Sequence, residues 1–229
     1  MNQVKQRERI IVFDVNETLL DIEILNPFFE RTFGEARVMR QWFAELILYS
    51  QALTLSGSYT EFGKLAVAVL TMVAQIKGVC LEAGDIEDFK EHMRRLPAHQ
   101  DAAPALEILR DAGFRMVTLT NSAPDSGHSA LDKTEIAHYF EKQFSVNSVK
   151  RFKPSAETYR SVESALAVDA GSLRLVAAHT CDSLGATAAG WKAALVTRPG
   201  NAPLAFGDQP DIIEKDLLAV ARQIISNDA

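Results

Sequence analysis

The sequence predicts an α/β protein, a doubly wound parallel sheet with a helical module inserted after its first strand. Three observations carry this. Ile10-Ile11-Val12-Phe13 runs apolar without alternation into Asp14, as a strand buried on both faces does. From about residue 24 to 95 no convincing strand pattern occurs, and apolar residues fall at helical spacing. From Ala102 onward short apolar runs alternate with helical stretches, the pattern of a parallel sheet wrapped by crossover helices.

The elements follow in order. Pro27-Phe28-Phe29 with Phe33, then Met39 to Tyr49, Phe62 to Ile76 and Ile86 to Met93 supply four or five helices, punctuated by Gly57, Gly63, Gly78 and Gly84. Pro97 and Pro104 mark the return to the sheet. A helix over Ala105 to Ala112 closes on Gly113, and a strand over Phe114 to Leu119 ends at Thr120-Asn121-Ser122. Next come a helix from near Gly127 to His138, a weaker strand over Phe144 to Val149, and the loop Lys150 to Pro154, which opens a helix over Ser155 to Leu166. The strand Leu173 to Ala177 ends at Ala178-His179-Thr180-Cys181-Asp182, and the helix Ser183 to Ala189 closes on Gly190. Ala193 to Val196 reads as a strand, Asp211 to Ile213 as a short edge strand, and Leu217 to Ile225 as the last helix. Residues 1–20 and 97–229 then form the sheet domain, and 21–96 the helical insertion.

Bulk properties exclude several classes. With 229 residues, 47% hydrophobic and 24% charged, the chain can bury a sizeable core as a soluble globular protein. A formal charge of −6 and the lack of any basic run argue against nucleic acid as a partner. Cys80 and Cys181 lie far apart in no CxxC pattern, so neither a disulfide framework nor a zinc site is expected. The polar start, Met1 to Arg9, has no signal-peptide core, and the longest apolar stretch, Leu65 to Val73, is too short for a bilayer. A cytoplasmic protein with no membrane partner is the expectation.

Four strand ends carry polar groups: Asp14 with Asn16, Glu17 and Thr18; Thr120-Asn121-Ser122; Lys153; and His179 with Asp182. In open α/β sheets ligands bind at that edge, because strand ends and loops leave a crevice there. Singly, each has a plainer reading: Asp14 and Asn121-Ser122 as turn or helix caps, Lys153 as a solvated loop residue, His179 as a satisfied core histidine. Together on one edge they are harder to explain as structure alone.

Asp14-x-x-x-Thr18, Asn121-Ser122 after a strand, Lys153-Pro154, and Asp182 before Gly185-Ala186 stand in the order of the four motifs of the haloacid dehalogenase superfamily, which this chain resembles over nearly its whole length. The resemblance implies a Rossmann-like core with an inserted helical-bundle cap. It makes Asp14 the nucleophile, Ser122 or the adjacent Thr120 the second motif, Lys153 the third and Asp182 the fourth.

Chemistry divides that superfamily. A phosphatase of this kind resembles Asp-x-Asp at the first motif, where the second Asp protonates the leaving alkoxide, and it gathers carboxylates around Mg²⁺. Here Asn16 holds the second position and His179 stands where a further metal-binding acid is expected. Halide leaves as a stable anion and needs no general acid, so the residues fit carbon–halogen cleavage with no metal and no cofactor. The nearest resemblance is to the (S)-2-haloacid dehalogenases of type II. It implies attack of Asp14 on C2 of a small 2-haloacid, inversion, an aspartyl ester, and hydrolysis to a 2-hydroxyacid. By the same resemblance Arg40 receives the halide, and Phe62 and Asn121 line its side. Ser122 and the backbone amides of Val15 and Asn16 hold the substrate carboxylate, Lys153 keeps Asp14 anionic, and the molecule is a homodimer.

Two departures stand out. The type II pattern has Tyr where this chain has Asn16, and Ser-Ser-Asn where it has Ala177-Ala178-His179. Glu17 and His179 are both added polar groups, and they resemble a variant branch in which such a pair activates the hydrolytic water; Asp182 then turns toward fixing Lys153. Other readings are a Mg²⁺-dependent small-molecule phosphatase, or a catalytically weak member acting as a binding protein. Activity in excess EDTA separates the dehalogenase from the phosphatase.

Overall fold

The computed structural model describes residues 9–124 and 129–228. Six parallel strands form one sheet: β1 (Ile10–Phe13), β2 (Arg115–Thr120), β3 (Lys142–Ser145), β4 (Leu173–Ala177), β5 (Lys192–Val196) and β6 (Ile212–Glu214), in the order β3-β2-β1-β4-β5-β6. Successive β1 residues point to opposite faces. Ile11 and Phe13 join one apolar cluster, which holds Leu106 and Leu109 of helix α5 (Ala102–Asp111) and Val220 and Ile224 of α8 (Leu217–Asp228). Ile10 and Val12 join the other, with Tyr159 and Val162 of α6 (Ala156–Leu166) and Ala186 of α7 (Thr180–Ala188). Both faces are covered, so the central strand β1 is apolar throughout, whereas the edge strand β3 is Lys-Gln-Phe-Ser and partly exposed.

The strand order reverses direction between β1 and β4, and there the crossovers diverge to leave a crevice at the strand ends. Asp14 follows β1 directly, and Ala178 to Asp182 follow β4. The topology therefore sets the first and last polar strand ends side by side.

Between β1 and α5 the chain forms four helices: α1 (Asn26–Phe33), α2 (Val38–Leu55), α3 (Phe62–Lys77) and α4 (Ala83–Arg94). Phe28, Phe29, Trp42 and Phe89 bind them together, with ring centroids 5.1–6.4 Å apart. The Trp42 indole donates to Ala66 O at 3.0 Å, so its one polar atom is satisfied in the core. Gly78 ends α3 at φ 69°, a left-handed cap that suits a residue without Cβ. The chain leaves and re-enters the sheet layer through one antiparallel ribbon. Leu20 pairs with Ala98, His99 N donates to Leu19 O at 2.8 Å, and Asp21 N donates to Pro97 O at 2.8 Å.

The structure corrects the sequence reading in several places. The helix expected from Gly127 to His138 begins outside the described residues, and 129–139 holds only two 3₁₀ turns, Leu131–Lys133 and Ala137–Tyr139. Side chains compete with helix bonding here. Ser129 N donates to Asp132 Oδ2 (2.7 Å), Asp132 N to Ser129 Oγ (3.2 Å), and Thr134 Oγ1 to Leu131 O (2.7 Å). β3 starts two residues earlier than expected and stops at Ser145, whose hydroxyl accepts from Asn147 N and closes the turn Val146–Ser148. α5 begins at Ala102, with Pro104 tolerated in its first turn. α7 begins at Thr180, which makes His179 its N-cap residue.

Candidate active site

Asp14 is held from three sides and is 4% exposed. Its backbone N donates to Val176 O at 3.0 Å, fixing it beside β4. Its Oδ1 accepts from Lys153 Nζ at 2.6 Å, and its Oδ2 from Thr18 Oγ1 at 2.7 Å. Thr18 Oγ1 also accepts from Ala178 N at 2.8 Å, so one hydroxyl ties the first strand end to the fourth. His179 Nδ1 lies 3.4 Å from Asp14 Oδ2.

Lys153 comes from the loop before α6. Its ammonium donates to Asp14, to Asp182 Oδ2 (2.6 Å) and to Leu119 O (3.0 Å). Three protons meet three acceptors, so the buried cation is satisfied. Asp182, in the first turn of α7, takes a second bond from the Tyr159 hydroxyl at 2.6 Å. Asn121 Oδ1 accepts from Lys153 N at 3.0 Å and links the second and third strand ends. Asn16 Nδ2 donates to Ser122 Oγ at 3.0 Å, and Ser122 N to Thr120 Oγ1 at 3.1 Å. Val15 is buried, and its carbonyl accepts from Leu19 N and Leu20 N at 2.9 Å each.

Glu17 sits in the left-handed region, φ 67°, rare for a residue with Cβ. Its carboxylate joins His179 to the inserted helices: Oε2 lies 2.6 Å from His179 Nε2, and Oε1 accepts from Arg40 at the start of α2. Arg40 donates also to Glu23. Arg40, Phe43 and Ile47 share one face of α2 at helical spacing. Phe43 lays its ring against His179, centroids 5.4 Å apart. Phe43 and Ile47 wall a cavity beside Asp14 with Phe62 of α3, while Asn121, His179 and Cys181 stand on the sheet side. Asn16 and Phe62 also border a larger cavity of about 750 Å³ between α3, α4 and residues 122–124 and 129–133.

Burial pushes the Asp14 carboxyl up, but Lys153 and His179 more than offset this and hold it well below the ordinary carboxylate range. Burial likewise opposes the charge on Lys153, and Asp14 and Asp182 together raise it above its usual value. Asp182 is pushed up by burial, with Lys153 opposing. Burial works against the imidazolium of His179 also, yet bonds to Asp14 and Glu17 push it up to about 9. At neutral pH the site holds an aspartate flanked by two cations. Among the described residues no three His, Cys, Asp or Glu side chains converge as a metal site.

All four polar strand ends meet within this crevice. Sequence reasoning missed Tyr159, Phe43, Ile47, Cys181 and Glu23. The i, i+3, i+7 spacing from Arg40 could have found Phe43 and Ile47; nothing local marks Tyr159 or Glu23.

The fold and these strand ends define a hydrolase class: the chain belongs to the haloacid dehalogenase-like hydrolases, whose family model matches residues 8–173. Among named proteins it is similar to haloacetate dehalogenase H-2 of Moraxella sp. (strain B), 27% identical over 88% of this chain and 91% of that one. It is also similar to (S)-2-haloacid dehalogenase H-109 of Pseudomonas putida, 26% identical over 90% of this chain and 93% of that one. Its fold matches the L-2-haloacid dehalogenase of Xanthobacter autotrophicus solved with chloropropionic acid covalently bound, at TM-score 0.86 and 23% identity, covering 97% of this chain and 100% of that one.

Proposed function

We propose that this chain is a metal-independent (S)-2-haloacid dehalogenase, converting short 2-haloalkanoic acids to 2-hydroxyalkanoic acids and halide with inversion at C2. The observation that carries this reading is Asn16, whose amide donates to Ser122 Oγ at 3.0 Å: two residues after Asp14 it offers neither the carboxylic proton nor the second carboxylate that a metal-dependent phosphatase uses. Lys153, 2.6 Å from both Asp14 and Asp182, ties those two carboxylates together. Similarity to dehalogenases over nine-tenths of the chain supports it.

In this reading Asp14 attacks C2, the carbon–halogen bond breaks, and an ester forms at the aspartyl carboxyl. Ser122, with the amides of Val15 and Asn16, holds the substrate carboxylate, and Thr120 braces Ser122. The halide departs toward the helical wall of Phe62, with Asn121 near it. Arg40 receives it by exchanging Glu23, the more exposed of its two carboxylate partners. Residues 21–96 act as a cap over a core of 1–20 and 97–229, and the Leu19–Asp21 and Pro97–His99 ribbon is the boundary.

Alkylation removes the negative charge of Asp14. His179 then keeps Glu17 but loses one of the two carboxylates that hold it up to about 9, so it sheds its proton at the stage when a base is needed. Water adds to the ester carbonyl and gives one proton to His179. The intermediate collapses, the second proton leaves with the hydroxyacid, and Asp14 returns as carboxylate beside an imidazolium. Proton release in the first half balances proton uptake in the second.

The test is single turnover in isotopically labelled water. Oxygen in the first product should come from Asp14, and Asp14→Asn should abolish halide release while the protein stays folded. Label appearing directly in the first product means that water attacks C2 and the mechanism is wrong. Halide release should persist in excess EDTA. A cytoplasmic homodimer belongs to the same reading, and light scattering and cell fractionation check it. No described helix is long and apolar enough to cross a membrane.

A further inference from the structure

Glu17 reaches His179 from a backbone turned into the left-handed region, at φ 67°. A residue with Cβ holds that conformation where its surroundings over-determine it. Two backbone groups of Glu17 are fixed from outside the site. Its N donates to Leu20 O at 2.8 Å, and its carbonyl lies 3.1 Å from His99 Nε2. The acceptor sets the tautomer, with the proton on Nε2 donated to the carbonyl.

His99 is well placed for this. Its own N donates to Leu19 O at 2.8 Å, its carbonyl accepts from Ala102 N at 3.0 Å at the start of α5, and Ala98 before it pairs with Leu20. The next carbonyl of the same loop, Thr18 O, accepts from Arg198 at 3.0 Å, and Asp101 holds both end nitrogens of Arg198 at 2.8 Å. The charged groups around His99 are Asp21, Asp101 and Arg198, with the Glu17 carbonyl. Burial and Arg198 depress its protonation, outweighing Asp21, Glu17 and Asp101. A neutral imidazole keeps its N–H donor without setting a second positive charge beside Arg198.

We propose that His99 is a positioning residue for ester hydrolysis: by bonding the Glu17 carbonyl it fixes the left-handed turn that aims the Glu17 carboxylate at His179. This rests on the reading that Glu17 and His179 serve the hydrolytic step. His99 lies where the chain returns from the inserted helices, so the same bond joins that crossing to the water-activating pair. The alkylation step, which uses Asp14, Lys153 and Arg40, does not need the Glu17 carboxylate aimed at His179, and Arg40 keeps Glu23 as a second partner.

The experiment compares His99→Ala, His99→Gln and His99→Asn with the parent enzyme and with His179→Ala. It measures the halide burst and steady-state turnover of 2-chloropropionate, and titrates His179 by NMR in the free enzyme. His179 is faced by Asp14 and Glu17, with Lys153, Asp182 and Cys181 in the same cavity and Arg40 beyond Glu17. His99→Ala should keep the burst within about twofold, slow hydrolysis roughly tenfold, the worth of one lost bond, and move the His179 midpoint downward. His99→Gln, whose amide N–H reaches the same carbonyl, should restore both; His99→Asn, which is too short, should not. If His99→Ala fails to fold, the Gln and Asn pair decides alone. Burst and hydrolysis falling together, or an unchanged His179 midpoint, overturns the proposal. If His179→Ala itself hydrolyses the ester at the parent rate, the hydrolytic reading falls instead, and the His179 midpoint in the His99 variants still tells whether His99 positions Glu17.

Discussion

The two oxygens of Asp14 look onto different surroundings. Oδ1 meets Lys153, which is closed off by Asp182, Leu119 O and, through Asp182, Tyr159. Oδ2 meets Thr18 and then His179, which leads through Glu17 to Arg40 and the exposed Glu23. On the first side burial is outweighed and Lys153 is held above its ordinary value, and Asp182 still faces that cation when Asp14 carries an ester. On the second side Asp14 and Glu17 together push His179 up to about 9, and an ester at Asp14 takes away one of those two supports. One flank keeps its charge and the other is built to change it.

The comparison breaks most severely at Lys153. Lys153→Met leaves Asp14 and Asp182 buried without their shared cation, so both the halide burst and turnover should vanish. Breaking a buried ion pair costs about 3–5 kcal/mol, which urea unfolding would read. A variant with a normal burst would remove Lys153 from alkylation.

His179→Ala should divide the two steps. It should release about one halide per site, then stall with substrate mass on the peptide that contains Asp14, turnover falling ~10²–10⁴-fold as for a lost general base. Glu17→Gln should show a milder form. Loss of the burst itself would assign His179 to the alkylation flank.

Arg40→Ala should lower kcat ~10²–10³-fold, as loss of a donor to charge developing in the transition state does. The burst rate is the decisive quantity. A retained burst with slow hydrolysis would show that Arg40 works only through Glu17.

The smallest effect is on stability. His179 is raised from an ordinary 6.5 to about 9 in the folded protein, so its contribution is fully present below pH 6.5 and is lost as pH rises through 9. The loss should be on the order of 3 kcal/mol, measured by urea titration across that range. His179→Gln should flatten the slope; an unchanged slope would mean that His179 is not charged in the resting enzyme.

Much of this was legible in the sequence, for physical reasons. β1, β2 and β4 are buried on both faces, so Ile10 to Phe13, Phe114 to Leu119 and Leu173 to Ala177 read as strands, and the polar residues that end them read as a crevice. The stretch 129–139 misled, because Ser129, Asp132 and Thr134 spend their side chains on local backbone groups and close single turns. Tyr159 and His99 were illegible for another reason. Each works through a bond to an atom 23 or 82 residues away, and no local pattern encodes such a pairing. Arg40 was legible as a residue at the site, but its bonds to Glu17 and Glu23 were not.

Gly185 lies in α7 beneath Asp182, and a Cβ there would stand 2.5 Å from Pro154 Cβ and from the Tyr159 hydroxyl. Such a distance cannot be absorbed in a close-packed interior without moving the residues that hold Lys153. Anyone reshaping the proposed haloacid site therefore meets one rigid floor and one adjustable wall. Enlargement has to come from Ile47 and Phe62 on α2 and α3, where a shorter apolar side chain opens room, and not from Phe43, whose ring packs against His179.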